Sequence, residues 1–231
     1  MFGHDLRGGV GTMLIQALLA VHILVVGYWF GSELVINATY RYVSYGRGMP
    51  FAERSRLMDH VMNADQHVRY ALVLQAGLGV VLAALLGYFP GGNALALGAA
   101  LAAAAWMVLV EATHRWRKAP SGAVLARIDR IVRYTAIAIL LTAALAALTG
   151  EIELPLWLTL KFAAYAGVIA CGLSIRFFIM DFYRAWVEIA KTGSTDANEA
   201  VIQKTYVGAT SVLVLLWVFI AAIVVLSVWK P

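Results

Sequence analysis

His22 is the only histidine well inside a long apolar run. It stands eleven residues after Gly11, roughly 16 Å along a helix and close to the middle of a bilayer's hydrocarbon. A neutral imidazole at that depth needs a partner, either a carbonyl across a helix–helix contact or a metal. Trp29, Phe30 and Glu33 follow at i+7, i+8 and i+11, which the sequence places on the same helical face. One stripe then carries an imidazole, a large flat ring and an acid. Such a stripe suits a planar cofactor, although aromatics near a membrane end also serve as interface anchors.

The other chemically capable groups at depth are few. Lys161 lies about one and a half turns into a later apolar run, where it either snorkels to the surface or holds a buried carboxylate such as a haem propionate. Arg176 has the same two readings near the opposite end of that run, with Asp181 and Arg184 following it. His67 and His114 fall at the ends of two further runs; each is an interfacial histidine or, taken together, a second ligand pair. His60 and His4 lie in polar surroundings and receive no role. A bis-histidine b-type site needs a second mid-membrane histidine, so the pattern fits instead a haem with one His and a weak or non-His second ligand. The single cysteine, Cys171, excludes disulfides within the chain and CxxC redox or zinc motifs. No phosphate-binding loop is present, and Gly8-Gly9-Val10-Gly11 precedes an apolar run instead of following a strand.

The elements that must position these residues are membrane helices. Of 231 residues, 62% are hydrophobic and 13% charged, and the mean hydropathy is +0.79. A soluble domain has about 45–50% apolar and about 25% charged residues, so this chain has too few charges to cover a surface in water. Runs long enough to cross a bilayer fall at about 11–36, 70–89, 93–111, 131–149, 156–182 and 206–229. They lack the alternation of a β-barrel. The sequence therefore predicts an all-α integral membrane protein, one domain of six spans, in which spans two to five form a four-helix core flanked by spans one and six. Its immediate partner is the lipid bilayer, with redox or membrane protein partners or a second copy as further expectations. A formal charge of +5, scattered along the chain, does not point to nucleic acid.

The links alternate in charge. Residues 38–69 carry five arginines, 112–130 carry Arg115, Arg117, Lys118, Arg127 and Arg130, and 183–205 carry Arg184, Lys191 and Lys204. The intervening links hold no charge (90–92) or only Glu151 and Glu153. The positive-inside rule then puts the three basic links in the cytoplasm and both termini outside, as in a multi-pass protein of a bacterial-type inner membrane. Within the basic links, 51–66 has the pattern of an amphipathic surface helix, and Thr195 or Asp196 caps a helix leading into span six. Asp65-Gln-His-Val-Arg-Tyr70 and Asp129-Arg-Ile-Val-Arg-Tyr134 begin spans two and four alike. They mark either an internal repeat of helical hairpins or independent use of similar residues.

The segment His22-Ile-Leu-Val-Val-Gly-Tyr-Trp29-Phe-Gly31 resembles the first-helix signature of the HemJ-type protoporphyrinogen oxidases and the related CopD-type copper-resistance membrane proteins. Trp157-Leu-Thr-Leu-Lys161 and the ending Trp229-Lys230-Pro231 are similar to that family's Trp-and-Lys helix and closing Lys-Pro, and Met58-Asp-His-Val-Met62 matches more loosely. The likeness covers the first and last thirds of the chain. It implies haem b with His22 as axial ligand, Lys161 as a haem-contacting or second axial group, and Trp29 on or near the porphyrin. The family has four spans, whereas here a hairpin at about 93–149 is inserted, and 162–173 lacks a match for the family's histidine in that helix. The implied function is therefore a haem-binding oxidoreductase or electron-transfer subunit. Two other classes stay open: a CopD-like copper permease, for which methionines within spans (Met13, Met107 and Met180) are sparse, and a cofactor-free accessory subunit packed through small-residue faces.

Overall fold

The structure, a computed structural model, describes residues 3–230, with side chains from residue 11 onward. His4, Arg7 and Pro231 of the closing Lys-Pro thus lie outside the described side chains. Among the described residues there are six helices and no strand: α1 (Gly3–Ser44), α2 (Phe51–Leu85), α3 (Gly92–Arg115), α4 (Gly122–Leu148), α5 (Leu156–Thr192) and α6 (Asp196–Trp229). All six are long and apolar enough to cross a membrane. Helices satisfy every backbone donor and acceptor internally, as hydrocarbon demands, and Ala, Leu and Val supply the apolar exterior. Large side chains such as Leu24, Leu101, Ile139 and Phe177 are more than 60% exposed, a surface made for lipid.

Each expected span is present, but the helices run on past it, five of them by eight residues or more. The surface helix expected at 51–66 and span two are one continuous α2. No Gly or Pro interrupts 51–76, and the Arg69 guanidinium holds Asp65 one turn earlier at 2.7 Å, across the expected junction. Helix α6 begins at the expected cap: Thr195 accepts from the Asn198 N–H, and the Asn198 side chain accepts from the Thr195 N–H, a reciprocal capping box. Gly91, with φ 98°, occupies the left-handed conformation that the tight turn into α3 requires.

The chain divides into two compact units. One comprises the described residues up to Ile36 together with Met62–Asp129. Here α2 and α3 approach so closely that a Cβ on Gly77 would lie 2.5 Å from the Ala103 Cβ. The second comprises Asn37–Val61 and the described residues from Arg130 onward. Its centre is aromatic: Phe182 stacks on Trp186 with centroids 5.1 Å apart, and Tyr40 meets Phe182 and Tyr206 edge-on. Helices α5 and α6 pack along each other, with Gly167 under Phe219 and Gly208 under Phe178.

Candidate functional site

In the first unit, α1 turns one stripe inward. Val25, Trp29 and Glu33 are buried, and His22, three residues before Val25, is half-buried on the same face. Phe30 departs from the expected stripe and is 39% exposed. At about 100° per residue, i+8 stands roughly 80° from the His22 direction, whereas i+7 and i+11 stand within roughly 20° of it.

His22 meets α2. The Gln75 side-chain nitrogen lies 3.0 Å from His22 Nε2, so the amide donates to the imidazole. Gly79, one turn further along α2, completes the contact: a Cβ there would lie 3.6 Å from His22 Cε1. One face of α2 thus presents an amide and a bare backbone to one imidazole. Seven residues on from His22, the Trp29 indole N–H donates to Glu33 at 3.4 Å, and the ring is only 2% exposed. Trp29 is therefore a fully enclosed wall of this unit, tied to the acid of its own stripe.

Further along these helices lies a second polar layer. The Tyr28 hydroxyl bonds His67 Nδ1, and the His67 ring meets Tyr70 edge-on with centroids 6.3 Å apart. Tyr70 donates to Glu111, which also accepts from Arg115. His114 faces the Arg117 guanidinium at 3.4 Å. His67 and His114 thus have separate neighbours, and no three His, Cys, Asp or Glu side chains converge as a metal site among the described residues.

In the second unit, the Lys161 ammonium sits 4.7 Å from the Trp157 ring centroid, and the Lys230 ammonium lies 5.6 Å from the same ring. Two of the motifs that carry the family resemblance therefore meet at one indole. Arg176 is half-buried on α5.

The sequence reasoning missed three features because it weighed only groups that carry charge or ligate metal at depth. Gln75 is neutral yet is the polar partner of His22; a survey of uncharged amides inside spans would have found it. Asp129, noticed only as a repeat element, is 1% exposed and accepts from the Trp106 indole at 3.2 Å. Arg54, counted only among the arginines of a basic link, forms a buried ion pair with Glu199, a residue the sequence does not single out.

The donor set around His22 fits haem better than a metal ion held by side chains alone. Porphyrin supplies four ligands to iron, so the protein need provide only one or two; Gln75 donates to His22 Nε2, which leaves Nδ1 as the ring nitrogen on the iron side. A bare copper site would need several converging ligands. No family model, no curated protein and no solved structure matches the chain.

Proposed function

We propose that the protein is a haem b-binding membrane oxidoreductase or electron-transfer subunit in which His22 ligates the iron. The observation that carries this reading is the half-buried, mid-span imidazole set against Gln75 and Gly79 on α2. Haem supplies one-electron iron chemistry when bound. The chain's own part is to hold the imidazole against the Gln75 amide and the bare backbone of Gly79, and to keep water out with the enclosed Trp29 ring. The same reading places the protein in a bacterial-type inner membrane, with its basic links in the cytoplasm, both termini outside, and a membrane-bound or soluble redox partner or a second copy beside it.

Absorption spectroscopy of the purified protein tests the proposal. The expected result is a Soret band and a reducible α band in the wild type, both absent from His22→Ala when it is purified at the same yield. A colourless wild type carrying one copper per chain overturns it in favour of the permease, and a colourless, metal-free wild type in favour of an accessory role.

A further inference from the structure

We infer that the groove between α5 and α6 binds one phospholipid with a zwitterionic, phosphoethanolamine-type headgroup. The inference is independent of haem and concerns the second unit alone. The groove has a volume of about 530 Å³, within the usual size range of ligand pockets. Phe178, Ala185 and Val201 make its apolar floor, and Asp181, Arg184, Glu188 and Lys204 carry its charges.

Sequence spacing explains the shape. Phe178, Asp181, Ala185 and Glu188 recur at i, i+3, i+7 and i+10, so they line one face of α5, and Val201, Lys204 and Thr205 do the same on α6. Gly208 sets the inner end: a Cβ there would stand 2.3 Å from the Phe178 ring, so the missing side chain lets that ring settle against α6 as part of the floor.

Position and charge select the occupant. Phe178 belongs to the apolar run 156–182, whereas Glu188 lies beyond it, ten residues and roughly 15 Å further along the axis. The groove therefore passes from the hydrocarbon into the headgroup layer, on the side of the basic links. Asp181 is already neutralised by Arg184 at 2.7 Å. That leaves one base, Lys204, and one acid, Glu188, on opposite helices. A phosphate matches the Lys204 ammonium and a headgroup ammonium matches the Glu188 carboxylate, while acyl carbons cover the floor. The two acids and two bases cancel, so an anionic lipid gains no net attraction over this zwitterion.

Native mass spectrometry of the full chain in mild detergent tests this, with phosphatidylethanolamine and phosphatidylglycerol of identical acyl chains, and glycerophosphoethanolamine as the headgroup alone. One phosphatidylethanolamine should be retained per chain, roughly fivefold more than phosphatidylglycerol, as expected for about one favourable charge contact. Glu188→Gln/Lys204→Gln should erase that preference. Val201→Trp, at a position already 40% exposed, should fill the floor and remove retention while the charges stay. Both variants alter exposed positions, and wild-type elution and helical circular dichroism confirm folding. Equal retention of the two lipids by the wild type, an unchanged preference in the double variant, or retention of the free headgroup as strongly as the lipid would each overturn the inference.

Discussion

Arg54 is 2% exposed and Glu199 3%, yet every polar atom of the pair that matters for charge is engaged. The guanidinium grips the carboxylate at 2.6 and 2.8 Å, donates to the Val43 carbonyl at 2.7 Å and lies over the Trp186 ring, while the Ser194 hydroxyl donates to Glu199. Such a pair gains little over an apolar replacement, but breaking it strands a buried charge. Arg54→Met should therefore lower unfolding stability by about 3–5 kcal/mol, and Arg54→Met/Glu199→Leu should recover most of that loss. Thermal or denaturant unfolding in detergent measures both; a single variant as mild as the double would refute the coupling. Gln75→Leu removes the donor to His22 Nε2 and leaves that nitrogen unsatisfied, so it should lower unfolding stability by about 1–3 kcal/mol in the same measurement. Hydropathy singled out His22 because its ionisable ring is scarce in apolar sequence. It passed over Gln75 because a neutral amide carries no charge, and over Arg54 and Glu199 because their burial is made by tertiary packing.

At the scale of helices, bare backbone decides how closely neighbours approach. In the first unit, the 2.5 Å separation between a Cβ on Gly77 and that of Ala103 leaves no room for a methyl group between α2 and α3. Gly77→Ala should cost about 1–3 kcal/mol through overpacking, despite alanine's better helix propensity, and Ala103→Gly in the same chain should restore part of it. Additive single costs in a double-mutant cycle would show that the two positions do not touch. All six helices were legible as apolar runs, because the hydrocarbon thickness imposes a minimum length that few other constraints mimic. Their polar extensions were less legible. Residues 51–69 carry the periodicity of a surface helix, and hydropathy ends a span where charge begins, but a helix ends only where a breaker or cap stops it. None lies between Phe51 and Gly77, whereas a cap at Thr195 or Asp196 was readable for α6, and Thr195 with Asn198 forms it.

For the molecule as a whole, scarcity of charge turns its distribution into an instruction. The stretches between apolar runs at 38–69, 112–130 and 183–205 hold nearly all the Arg and Lys outside those runs, and those at 90–92 and 150–155 hold none. Translocating a short basic link against the membrane potential is opposed, so orientation follows from where these residues fall. The sole cysteine, Cys171, is 6% exposed, so a Cys171→Ala background offers a clean start for labelling at single sites. Glu151 and Ser121 are exposed in links of opposite charge character, and a cysteine at either disturbs no packed contact. In intact cells a membrane-impermeant maleimide should modify Glu151→Cys and leave Ser121→Cys unmodified until the membrane is permeabilised. The reverse pattern would invert the orientation and move the phospholipid groove to the opposite leaflet. His22 would stay where it is under either outcome, because a residue near the middle of the hydrocarbon keeps its depth when the protein is turned over.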